Sequence, residues 1–287
     1  MIDSPGLVGM RDSVVVVAFE GWNDAADAAT ATVEFLESAW SARPVGAIDP
    51  DDYYDFQVNR PTVEVGAEGR RTLTWPTTRF SRTTIPGTGR DALLVRGIEP
   101  NMRWRSFTEE ILQVARRANA GLVLVLGALL ADSPHTRPVP VNGTTSDPGL
   151  AARLVLEESR YEGPTGIVGV LTDLAAHSGL PAVSLWAAVP HYAAQPPCPK
   201  AALALLQRVE DLLDTSMDLH EMTEAARAWE RGVDELAAED PEVAEYVASL
   251  ERAKDTTELP EASGDAIARE FERYLRRRDT DDRGSSS

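Results

Sequence analysis

The sequence predicts an α/β protein: a mostly parallel sheet with helices on both faces, three layers in all, followed by a helical extension. Three observations carry this. The run Val14-Val15-Val16-Val17-Ala18-Phe19 breaks abruptly into Glu20-Gly21-Trp22-Asn23-Asp24 and then into an alanine-rich stretch. An uncharged, β-branched run of that length reads as a strand buried on both faces, and the stretch after it as a helix. Similar apolar runs recur along the first two thirds of the chain, alternating with helical patterns. From about residue 218 onward the pattern is helical throughout.

The elements follow in order. Residues 12–19 form the first strand and residues 25–42 the first helix, with Asn23 or Asp24 able to cap it by accepting backbone N–H bonds. Residues 44–48 make a second strand. Residues 49–62, with Tyr53, Tyr54 and Phe56, read as a loop, and 71–75 as a short strand before Pro76. Residues 92–96 are a buried strand ending at Gly97-Ile98-Glu99-Pro100. In 104–119, Phe107, Ile111, Leu112, Val114 and Ala115 recur near a 3.6-residue period, so this segment is an amphipathic helix. Residues 121–126 are a strand. Residues 131–148 form a long connection rich in Pro, Gly, Ser and Thr, and loops of that length are commonly functional or disordered. A helix follows at 149–159, a turn at Gly163-Pro164-Thr165-Gly166 opens another, and 181–189 is the last core strand. Helices then occupy 200–213, 218–238, a segment after Pro241, and 265–278. The expected organisation is an α/β core over 1–215, a helical extension over 216–279 and a disordered tail over 280–287. Leu219, Met222, Trp229, Leu236, Tyr246, Leu250, Phe271 and Leu275 give the extension apolar faces with which to pack on the core or a neighbour.

The chain of 287 residues carries a formal net charge of −18, which repels phosphate backbones and argues against nucleic acid as a partner. Residues 209–261 hold 17 acidic and 4 basic side chains, so most of the excess lies in the last third of the chain. That face reads either as solvated or as a surface for a basic partner. No apolar run approaches the ~20 residues of a membrane span. No secretory signal is visible, and a single cysteine, Cys198, allows no internal disulfide. These features together predict a cytoplasmic protein.

Several groups are candidates for chemistry. Ligands of open α/β sheets sit at the carboxyl ends of strands, where the Glu20–Asp24 turn lies. Glu20 and Asp24 can divide acid and base roles or bind a hard cation, or they can be a helix cap beside a solvated carboxylate. The 131–148 connection offers Arg137 as a bidentate grip for an anion, together with Asn142 and Asp147. Asp147 can equally cap the helix that follows it. Gly163, Pro164, Thr165 and Gly166 form either an anion cradle at a helix start or a tight turn. His191 follows a strand end and can line a cleft. Histidines 135, 177, 191 and 220 match no metal signature, and no Walker motif, strand-placed GxGxxG or GxSxG occurs, so neither a metal nor a cofactor is expected.

Read together, Phe19 through Ala26, Gly163-Pro164-Thr165-Gly166-Ile167, Ser184 through Tyr192 and Pro197-Cys198-Pro199-Lys200-Ala201 resemble the proteasome assembly chaperone 2 family. The version with a helical extension is similar to its actinobacterial branch. The resemblance implies a three-layer fold like that of nucleoside phosphorylases and related hydrolases. It also implies self-association as a trimer or dimer, and a proteasome-related or other protein partner. Some archaeal relatives end in a hydrophobic–Tyr–any-residue tail; here Arg273-Tyr274-Leu275 is internal. Two functional classes follow. One is an assembly or interaction factor in which Gly21, Trp22, Gly163, Pro164, Trp186 and Pro190 hold turns and packing. The other is a small-molecule hydrolase or transferase with a cleft lined by Glu20, Asn23, Asp24, Asn142, Asp147 and His191.

Overall fold

The computed structural model describes residues 5–66, 69–158 and 162–258. The helix expected at 265–278, with Phe271 and Leu275, and the tail at 280–287 lie outside them. Ten strands occur among the described residues: β1 Ser13–Glu20, β2 Arg43–Ala47, β3 Thr62–Val65, β4 Arg71–Thr74, β5 Arg79–Thr84, β6 Asp91–Ile98, β7 Ala120–Ala131, β8 Val141–Thr145, β9 Glu157–Glu158 and β10 Ala182–Pro190. Eight of them make one sheet in the order β2-β5-β6-β1-β7-β10-β8-β9, and β3 pairs with β4 in a separate hairpin. The helices are α1 Ala28–Ala39, α2 Trp104–Arg117, α3 Pro148–Leu154, α4 Ile167–His177, α5 Pro199–Leu213, α6 His220–Glu239 and α7 Pro241–Glu258.

The apolar runs become the middle of the sheet. β6, β1, β7 and β10 are mutually parallel neighbours. Successive residues of β1 feed opposite faces, as the pleat requires. Val14, Val16 and Ala18 pack under α1 and α5 with Val33, Leu36, Leu205 and Val209. Val15, Val17 and Phe19 pack under α2 and α4 with Phe107, Ile111, Ile167 and Leu171. Removing one such side chain, as in Leu36→Ala, costs about 2–5 kcal/mol because the packed layer closes only partly over the cavity.

The flanks depart from the expected elements. β5 and β8 are antiparallel to their inner neighbours, and both fall in segments whose polar composition hides a strand. The 131–148 connection therefore contains a sheet strand and is not loop throughout. α3 stops at Leu154, where Val155 takes a left-handed conformation (φ 54°). In the extension α6 packs on α5, and α7 on α6. Met217 and Leu219 are buried in the α1/α5 layer, with Met222 and Trp229 against it. Ala226, Val233 and Ala237 form the buried stripe of α6, while Leu236 is half exposed at its edge.

Candidate functional site

The turn after β1 is built by its own polar groups. Gly21 leaves the strand at φ 120°, and Ala26 and Asp27 take positive φ before α1 begins. Asp24 is buried at the centre of this coil. Its Oδ1 accepts from the Ala29 N–H at 2.6 Å, and its Oδ2 from the Thr30 N–H at 3.1 Å and the Thr30 hydroxyl. The carboxylate thus satisfies donors five and six residues downstream, which an ordinary N-cap could not reach past the left-handed residues. Burial raises its pKa to about 6, with the bonds to Thr30 and Ala29 opposing that rise.

Asn23 ties three elements together. Its carbonyl accepts from the Ala128 N–H of β7 at 2.9 Å. Its Nδ2 donates to Glu99 Oε1 at 2.8 Å, which fixes the amide orientation because an ionised carboxylate only accepts. The same Oε1 accepts from the Ile167 N–H at 3.3 Å, and the Glu99 N–H donates to the Glu20 carbonyl at 2.9 Å. Glu99 therefore sits where an anion would at the start of α4. That corrects the reading of Gly163–Gly166 as an open anion cradle. Asn23 is only 1% exposed, and its Oδ1 has no hydrogen-bond partner. A Cβ on Gly166 would stand 2.2 Å from that oxygen, so the wall here closes only over glycine.

Beside this junction is a cavity of about 1500 Å³ at the carboxyl end of the sheet, between α4, α3 and the β7–β10–β8 strip. Gly21, Trp22, Asn23, Asn142, Pro164, Thr165 and Gly166 line it, so these sequence candidates do come together. Trp22, 85% exposed, lines it together with the half-exposed Leu129 and Leu130. Thr144, Ser184 and Trp186 also line the cavity, and Glu99 anchors its wall. Sequence reasoning gave these four no site role. For Glu99 the available signal was a carboxylate placed immediately after a buried strand.

The remaining candidates lie elsewhere. Glu20 stands at the exposed end of β1; burial against its neighbours raises its pKa and Arg96 opposes this. Asp24 is sealed within the turn. Asp147 caps α3, accepting from the Gly149 and Leu150 N–H groups at 2.8 and 3.1 Å. Gly163 (φ 150°) precedes the lining residues. Arg137 is held by the extension: Nε and Nη2 donate to the two oxygens of Asp255 at 2.9 and 2.8 Å, and Nη1 to Glu251 at 3.3 Å. His191 stacks edge-on against Tyr246 and Tyr192, 3.8 Å from Asp132. Glu20, Asp24 and His191 therefore do not converge on one cavity, because two are held at the turn and the third is taken by α7.

The loop after β7 is the seat of that extension. His135, 1% exposed, places Nδ1 at 2.8 Å from the Tyr192 hydroxyl and Nε2 at 3.0 Å from Asp234 of α6. The Tyr192 oxygen already accepts the His135 backbone N–H at 2.7 Å. The tautomer with its hydrogen on Nε2 donates to Asp234 and leaves Nδ1 to accept from the Tyr192 hydroxyl. Lys200 bridges the His135 carbonyl and Glu230, and Tyr246 donates to Asp132 at 2.9 Å. Among the described residues no group of three or more His, Cys, Asp or Glu is placed to hold a metal, and no helix is long and apolar enough to cross a membrane.

The family model described as "PAC2 family" matches residues 18–237, a span containing the turn, the cavity and all but the last two residues of α6. The chain belongs to the PAC2 family. A PAC2 family protein from Streptomyces avermitilis has 61% identity to it over 82% of this chain and 100% of its own, with a TM-score of 0.78. A proteasome-assembly chaperone homologue from Mycobacterium tuberculosis has 52% identity over 82% of this chain and 99% of its own, with a TM-score of 0.75. PbaB of Pyrococcus furiosus, an archaeal proteasome activator, shares the fold at a TM-score of 0.65 and 15% identity, over 79% of this chain and 94% of its own. No match was found among curated proteins. In this PAC2 protein the cavity lies at the strand ends of the α/β core, with α6 packed on α5 and α7 on α6.

Proposed function

We propose that this PAC2 protein is an assembly or interaction factor that self-associates as a trimer or dimer in the cytoplasm and engages a proteasome-related protein. The observation that carries the reading is the exposed apolar rim of the cavity. An 85% exposed tryptophan, Trp22, lines the same cavity as the half-exposed Leu129 and Leu130. Exposed apolar side chains grouped in this way mark contact surfaces. The turn's strongest polar groups support the same reading, since Asp24 and Asn23 are committed to holding backbone and Glu99. On this reading residues 1–215 are the interaction core. Residues 216–279 brace it, and the acidic face of that extension meets solvent or a basic partner.

The test measures mass and partners together. Light scattering on the purified chain is expected to give a dimer or trimer, which Trp22→Glu reduces in favour of monomer. Affinity capture from native cells is expected to recover proteasome subunits with the wild type and fewer with the variant. A wild-type chain that is monomeric at tens of micromolar and captures no proteasome subunit would overturn the reading.

A further inference from the structure

The floor of the cavity is an aromatic platform set among acceptors. Trp186 on β10 is in register with Asn142 on β8 and Gly127 on β7, and Ser184 with Thr144 and Val125. The indole lies across Gly127: a Cβ there would stand 2.7 Å from both Cε3 and Cζ3. One face of the ring is thus held against backbone while Trp186 lines the cavity. The Thr144 and Ser184 hydroxyls are 2.9 Å apart and share one hydrogen, which leaves the other O–H and spare lone pairs for a guest. The unpartnered Oδ1 of the buried Asn23 belongs to the same wall.

The charge of the lining has one sign. Glu157, Glu158 and Asp173 line the cavity, and no Lys, Arg or His does so among the described residues. His177, one turn beyond Asp173, approaches that carboxylate at 3.4 Å from outside the lining. Among the described lining residues an anion entering here would meet carboxylates and no cation, whereas a cation finds carboxylates and an indole face. The volume accommodates a guest of ordinary ligand size.

We propose that this cavity binds a cationic aromatic amine, its ring stacked on Trp186 and its ammonium held in the negative field of the lining to which Glu157, Glu158 and Asp173 contribute. This binding is separate from the assembly role, and either can fail without the other.

The test is calorimetric titration of the full chain with three indoles of similar size and different charge: tryptamine, tryptophol and indole-3-acetate, with ethylammonium as a ringless control. Tryptamine is expected to saturate at one per chain and to bind about tenfold tighter than tryptophol, with indole-3-acetate weakest. The exposed pair Glu157→Gln/Glu158→Gln is expected to bring tryptamine close to the tryptophol level without weakening tryptophol. Trp186→Leu should weaken both indoles. Absence of saturable binding, indole-3-acetate binding as well as tryptamine, or ethylammonium matching tryptamine would each overturn the proposal. So would a tryptamine affinity indifferent to both the Gln pair and Trp186→Leu, provided circular dichroism shows those variants folded.

Discussion

Asp24 makes the stability of this protein depend on pH in a direction opposite to that of an ordinary paired carboxylate. Its pKa lies near 3.8 in the unfolded chain and at about 6 in the fold, raised first by burial. Between those values the native state binds the extra proton. Stability therefore rises as pH falls through the folded pKa, and the gain levels off near the unfolded one. Integrating the linkage from pH 7 to pH 5 gives a gain of about 1.3 kcal/mol from this group alone. Asp24→Asn removes the titration. Its oxygen can still accept the Ala29 N–H, but its NH₂ then faces the Thr30 N–H, so the variant's absolute stability moves for a second reason. The informative quantity is the slope. Urea unfolding followed by tryptophan fluorescence, at fixed ionic strength from pH 7 to pH 5, should show the wild type gaining about 1.3 kcal/mol relative to the variant. Groups common to both proteins cancel in that difference. Parallel pH profiles would refute the assignment of a raised pKa to Asp24.

Gly166→Ala places a Cβ 2.2 Å from Asn23 Oδ1, which forces the amide off Glu99; a loss of about 2–4 kcal/mol is expected in urea titration, and near-neutrality would show that the wall yields. His135→Ala takes away the imidazole that joins Tyr192 to Asp234 and leaves Tyr192 only the backbone N–H of residue 135. The expected cost is about 1–3 kcal/mol with faster proteolysis within α6 and α7, and unchanged cleavage there would show that apolar packing alone seats the extension.

The central sheet was legible because β1, β6, β7 and β10 are buried on both faces and must be continuously apolar. β5 and β8 were not. Arg79–Thr84 and Val141–Thr145 are polar strands beside the core, and their pairing comes from neighbours distant in sequence. The turn carrying Asn23 could be read as a ligand position because it ends a buried strand. The placements of Arg137 and His191 could not be read that way. Strand-end position aims a side chain toward a cleft only when nothing else is packed there, and here α7 supplies Asp255 and Tyr246. The floor residues were hidden for a further reason. Trp186 lies flat because its neighbour in register is Gly127, a relation between residues 59 apart that no local pattern encodes.

The strand order has a consequence for how the chain is made. β1 is complete at residue 20, yet its two sheet neighbours are complete only at residues 98 and 131. At about 5–20 residues per second, synthesis of the stretch up to the end of β6 leaves β1 without a partner for roughly 4–16 s. The segment Val14–Phe19 has no charge, proline or glycine, the composition most prone to pair with other copies of itself. The strand that later organises the whole sheet is thus the part of the nascent chain most in need of shelter.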